Sequence, residues 1–287
     1  GVENRTFQVG VRVVVIFSHQ GPISELNRVV AARDLDYRRR CGRGAEVAAE
    51  AAIFTEGERA QWTHILSLGH LPLFTDSLLL GEVIRRAHEQ LADRVLVTPL
   101  MWLGNSEHHL DFAGTMSAAP RTYLDLLKEM VANFLFHGFQ RIVLLTGHGG
   151  NIIPSRQALF ELRQERRKDS GLLLLDAAYW SLGSRPHESD VSIQQQQMGH
   201  ACEWETSMML RIRPDLVGDY QHLEPVPFGR EFAPAHRAWI TKDRSEPGHI
   251  GQPHLASAEK GEILFRAFSS DVVALVERMI AWDGREW

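Results

Sequence analysis

Apolar and polar positions along this chain fall into two rhythms. From about residue 70 onward, short apolar runs alternate with longer amphipathic stretches, the pattern of successive βα units around a largely parallel sheet. The runs Val95-Leu96-Val97, Ile142 to Leu145 and Leu172 to Leu175 predict strands. Helices are predicted over Ser77 to Leu91, with Ser77 or Asp76 as cap, over Pro120 to His137 with proline in its first turn, and over Pro154 to Lys168. A last helix starts after Ser257, an N-cap three residues before Lys260. It keeps a helical period through Ile263, Leu264, Ala267, Val272, Leu275, Val276 and Met279. Residues 214 to 255 are rich in proline and glycine and are expected to wind over the surface, and the polar "SIQQQQ" reads as a loop.

The first 66 residues break this rhythm. Val9 to Phe17 fits a strand, but "RDLDYRRRCGR" is dense in arginine and "AEVAAEAAIF" is a generic helix. We therefore read 1–66 as an atypical N-terminal segment and 67–287 as one domain. At 287 residues and 44% hydrophobic the chain can bury a full core. Its net charge of −5 is spread without a basic stripe, which argues against nucleic acid as a partner. No apolar run approaches the roughly 20 residues of a membrane span, and the N-terminus shows no long apolar h-region, so a cytoplasmic location is expected. Cys41 and Cys202 are the only cysteines, too few for a disulfide framework, which suits a reducing compartment.

Three stretches carry candidate chemistry. In "LLTGHGGN" the strand ends in His148 between glycines, at the edge of an open α/β sheet where ligands bind; the plain alternative is a turn histidine. In "HLPLFTD" Asp76 precedes a helix, which an N-cap would explain equally well. In "GHACEWETSMML" Glu205 stands at a helix start, where the helix dipole alone favours acidic residues. A dinucleotide site is disfavoured, because GHGGN lacks the GxGxxG spacing.

Taken together, these stretches resemble the creatininase family of metal-dependent amidohydrolases, over roughly residues 68 to 280. "HLPLFTD" is similar to the family's stretch leading to a metal-bridging aspartate, and "HGFQRIVLLTGHGGN" to its strand and "NGHGGN" turn, with Thr146 for the usual Asn. "NSEHHLDFAGTMS" resembles the "S…H…FPGT.S" segment with Ala113 for proline, "HACEWETSMML" the "HAG..ETSLML" segment, and "HIGQPHLASAEKGEILF" the C-terminal "G.P..AS.EKG" block.

The resemblance implies a three-layer α/β/α sandwich with a mainly parallel sheet and the site at the C-terminal ends of strands. It implies a divalent metal (zinc, manganese or iron) held by Asp76, His148 and Glu205, with His200 as the residue that moves protons to the leaving nitrogen. Trp180 in "LDAAYWS" matches a substrate-covering tryptophan, with core packing as its alternative. The implied reaction is hydrolysis of a small, often cyclic, amide; family members act on creatinine, formamidopyrimidine compounds or short peptide amides. A homo-oligomer is implied too, a hexamer by analogy.

The sequence departs from the family pattern "E.HG.HLP..TD" at two ligand positions: Ile65 stands in place of glutamate and Ser67 in place of histidine. Isoleucine has no donor atom, and a neutral hydroxyl is a poor ligand beside imidazole, so one ion per chain is expected; His64 and His70 are nearby partial substitutes. Three readings follow. One is an enzyme with a single three-ligand ion, a second is a non-catalytic binding or scaffold subunit on the same fold, and a third is that residues 1–66 are not the ancestral N-terminus.

Overall fold

The computed structural model describes residues 13–18, 70–91, 94–229 and 232–285. The positions 64, 65 and 67 and the arginine-dense segment lie outside the described residues. Four parallel strands form one sheet in the order β2-β1-β3-β4, where β1 is Val13–Ser18, β2 Val95–Val97, β3 Arg141–Thr146 and β4 Leu173–Ala178. The pairing is in register from Arg141↔Leu173 to Thr146↔Ala178 across β3 and β4, and from Val13↔Arg141 to Ser18↔Thr146 across β1 and β3.

The helices are α1 (Thr75–Leu91), α2 (Pro120–Phe136), α3 (Ile152–Glu165), α4 (Pro186–Ser189), α5 (Glu203–Ile212), α6 (Thr241–Arg244) and α7 (Ala258–Ala281). Side chains of β3 alternate between two cores, as the two-residue period of a strand requires. Val143 and Leu145 join a core built with α1, α5 and α7, including Leu80, Met208, Phe265 and Phe268. Ile142 and Leu144 face the opposite way, onto Tyr123, Leu127 and Val131 of α2 and Ala158, Leu159 and Leu162 of α3. Helices on both faces of a parallel sheet make the expected α/β/α sandwich, and explain why β3 is apolar at every inner position.

Ser257 caps α7 as its sequence suggested, accepting from the Lys260 N–H. The cross-packing of α7 on α5 needs Gly261, because a Cβ there would run into the Ser207 carbonyl oxygen. Two expectations are corrected. Residues Asp76 and Ser77 are not caps: α1 begins at Thr75, whose N–H and hydroxyl both bond the Pro72 carbonyl, so Asp76 lies within the first turn with its side chain directed elsewhere. Nor does 214–255 simply wind over the surface. Thr241 and His249 are fully buried, and Ile250 exchanges two backbone hydrogen bonds with His200, which ties the segment to the body of the domain. "SIQQQQ" is a loop, but its Gln195 is buried.

Candidate metal centre and active site

The end of β3 sets the site. Thr146 holds the turn that follows by donating its hydroxyl to the His148 carbonyl and accepting the His148 N–H, both at 3.1 Å, so threonine sustains this turn where the family pattern has asparagine. His148 itself is extended, with φ −129° and ψ 129°. A Cβ on Gly150 would collide with the Asn105 carbonyl and come within 2.7 Å of His148 Nε2 and His108 Cε1. Glycine is therefore required for residues 105–108 to approach the turn. Asn151 fastens that approach by accepting the Asn105 N–H at 2.8 Å.

Both ring nitrogens of His148 are engaged. Nε2 lies 3.1 Å from the Asn105 carbonyl and 3.0 Å from the Ser106 hydroxyl, while Nδ1 lies 3.0 Å from Asp76 Oδ2. The Asn105 carbonyl can only accept, whereas the Ser106 hydroxyl can donate to Nε2 or accept from it, so these contacts allow the ring proton on either nitrogen. Nδ1 can then donate to the Asp76 carboxylate or, without its proton, turn a lone pair toward a cation that Asp76 would share. Asp76 arrives from the first turn of α1 and Glu205 from the first turn of α5, so two helix N-termini converge here. Glu205 is buried, and its Oε2 has no hydrogen-bond partner. Burial, then the charge of Asp76, holds its carboxyl well above the usual carboxylate range.

His200 enters through its antiparallel bridge to Ile250. Its Nε2 is buried without a partner, and its ring stacks on His109 at 4.3 Å. Burial, against the opposing attraction of Asp76 and with the neighbouring imidazoles, holds this imidazole down to about 3, so the buried ring resists protonation. Asp76, Ser106, His109, Thr115, His148, His200 and Glu205 line one open cavity.

Four of the five expected residues, Asp76, His148, His200 and Glu205, thus meet in one place. Trp180 does not join them; it is half-buried against the α1/α5/α7 core, edge-on to Tyr179 at 5.0 Å. The sequence reading passed over His108 and His109. They sit in a single 3-10 turn, Glu107–His109, and with His148 present three ligand nitrogens within 4.8 Å of one another. The adjacent histidine pair in "SEHHLDF" was the available signal. His109 Nδ1 is held 2.6 Å from the Thr241 hydroxyl, and Trp239 stands edge-on to His108 at 5.2 Å, so the segment around α6 packs against the histidine pair.

His70 lies behind the cavity. Its Nε2 meets the Thr206 hydroxyl at 2.8 Å, its Nδ1 has no partner, and its ring lies 6.2 Å from that of His249. Burial, aided by His249, lowers its pKa to about 4 from 6.5. Below pH 6.5 the unfolded chain therefore takes up a proton that the folded chain refuses, and stability falls until pH 4 is passed. In metal-free protein, His70→Gln is expected to flatten the acid limb of denaturant-unfolding stability between pH 6.5 and 4 by roughly 1 kcal/mol per pH unit. An unchanged slope would show that His70 is protonated in the fold.

Compared with known proteins, residues 69–276 match the Creatininase family, described as creatinine amidohydrolase. The mycofactocin precursor peptide peptidase of Mycolicibacterium smegmatis is 32% identical over 220 residues, 75% of this chain and 80% of that protein. The creatinine amidohydrolase of Pseudomonas putida is 28% identical over 209 residues, 68% of this chain and 78% of that protein. A solved creatinine amidohydrolase (creatininase) superposes with a TM-score of 0.62 at 23% identity, covering 75% of this chain and 86% of its own. With its βα order, its GHGGN turn and the match across most of its length, the chain belongs to the creatininase family.

Proposed function

We propose that the chain is a metal-dependent amidohydrolase holding one divalent ion, zinc, manganese or iron, on Asp76, His148 and Glu205. The observation that carries this reading is the 3.0 Å approach of His148 Nδ1 to Asp76 Oδ2 beside a buried carboxyl with an orphaned oxygen. With its proton on Nε2, a ligating His148 would be fixed by donating to the Asn105 carbonyl as its outer contact. Solved creatininases of this fold include a manganese form and a variant of Zn–Zn type, which supports the choice of metals.

Bound there, the ion would lower the pKa of a water and polarise an amide carbonyl. The chain's own residues do the rest. Asp76 and Glu205, ionised as ligands, would hold the ion, and His200 lies in the same cavity to carry a proton from the water toward the leaving nitrogen. His109, stacked on His200 and anchored by Thr241, keeps that imidazole in plane. The named relatives are a precursor peptide peptidase and a creatinine amidohydrolase, so an amide bond is the substrate feature their names share.

We place this enzyme in the cytoplasm as a homo-oligomer. Among the described residues no helix is long and apolar enough to cross a membrane. Ile153 and Phe160 on α3 are 70% and 60% exposed, apolar surface suited to a second copy. One observation favours the non-catalytic alternative, the Ile65 and Ser67 that replace two family ligands. Elemental analysis of protein purified without chelator, paired with hydrolysis assays on creatinine and N-acyl peptides, decides. One ion per chain with chelator-sensitive, metal-restored turnover is expected; a folded chain that hydrolyses none of these even when loaded would favour the binding subunit.

A further inference from the structure

Arg244 ends α6, the helix whose Thr241 hydroxyl meets His109 Nδ1. Its guanidinium lies 4.6 Å over the ring of Trp239, and Trp239 in turn stands 5.2 Å from His108. One nitrogen, Nη2, donates to the Phe228 carbonyl at 2.6 Å. Among the described residues no carboxylate pairs with Arg244, although the side chain is half-buried. Its neighbours differ: Lys242 pairs with Glu246 at 2.8 Å, and Asp243 accepts from the Ile240 N–H. Arg86, also partly buried, donates to both Glu82 and Glu262. A guanidinium fixed at one corner by a carbonyl, braced by an indole face and left with open donors is preorganised for a planar anion.

We propose that Arg244, stacked on Trp239, binds a carboxylate of the substrate, so that the preferred substrates are peptide-like amides with a free carboxylate close to the bond cleaved. The proposal rests on the reading of Asp76, His148 and Glu205 as the hydrolytic centre. Ring to ring, the path runs 5.4 Å from His148 to His108, 5.2 Å to Trp239 and 4.6 Å to the guanidinium. Arg244 is therefore within roughly 15 Å of His148, the span of about four extended residues. A carboxylate up to four residues beyond the scissile amide can reach it, which a compact cyclic amide without an acidic group cannot exploit.

The test is equilibrium binding by calorimetry, using N-acetyl-tetraalanine and its C-terminal amide as probes on the full-length chain. Wild type is expected to bind the free acid about tenfold more tightly than the amide, the weight of one charge-assisted hydrogen bond. Arg244→Gln should erase that preference with little change in the affinity for the amide, and Arg244→Lys should restore part of it. Trp239→Phe, which keeps an aromatic face under the cation, guards against misfolding and should retain the preference. Equal binding of acid and amide by wild type, failure of both probes to bind at millimolar concentration, or a preference that survives Arg244→Gln would overturn the proposal. Because binding is read without turnover, a tight acid that is not hydrolysed counts against the metal-centre reading and leaves the Arg244 assignment standing.

Discussion

Purified without chelator, His148→Ala is expected to retain no divalent ion and to lose at least a hundredfold in amide hydrolysis. Removing the imidazole deletes the only nitrogen ligand in the set and leaves Asp76 and Glu205 as two carboxyls that share a proton instead of a metal. Misplacement of a catalytic group alone costs on the order of a hundredfold, and loss of the activated water should cost more. The domain should still fold, since the turn around residue 148 is also held by Asn151 on the Asn105 N–H and by Asn105 on the Ala118 carbonyl. Ser106→Ala is the control. It removes a hydroxyl 3.0 Å from Nε2 but leaves the Asn105 carbonyl, and should keep the ion. A folded His148→Ala chain with wild-type metal content would remove His148 from the centre and point to His108 and His109 as the nitrogen donors.

Lys260→Ala should be the most destabilising single change outside the site, by about 3–5 kcal/mol, the usual result of leaving a buried charge without its partner. Glu203 is fully buried, and its Oε1 receives Lys260 Nζ at 2.6 Å. The same carboxylate accepts the N–H groups of Gln194 and Gln195, at 3.2 and 2.6 Å. Gln195 in turn receives the Trp204 indole N–H and the Gln252 N–H. Loss of the ammonium would thus loosen the loop that leads to His200 as well as strand a charge. Denaturant unfolding checks the magnitude. The double change Lys260→Ala with Glu203→Gln should cost less than Lys260→Ala alone, because it also removes the stranded carboxylate. A larger cost in the double variant would mean that the Glu203 contacts to the loop outweigh its charge.

Regular structure was the most legible part of the sequence. β2 coincides with the apolar triplet 95–97, and β3 and α7 follow their runs closely, because burial on one or both faces leaves an unmistakable period. The position of His148 past a buried strand was equally readable. Asp76 was not, because a carboxylate just before a helix looks the same in sequence whether it caps the backbone or faces across the sheet; the hydrogen bonds of Thr75 to Pro72 decide between them. Trp239, Thr241 and Arg244 were hidden for another reason. Proline and glycine mark where periodicity ends, yet say nothing of where an irregular segment returns, and this one returns to His108 and His109.

The strand order constrains how the chain can reach its fold. β1 is earliest in sequence yet central in the sheet, with Val13 opposite Val95 on one side and Arg141 on the other. Both pairings close long loops, whose entropy opposes them until the contacts are complete, whereas β3, α3 and β4 are local neighbours that can assemble on their own. Until β1 docks, β3 presents an apolar, unpaired edge to the solvent. Such an edge invites pairing with another chain, so refolding yield should fall as protein concentration rises, in competition with the insertion of one six-residue strand.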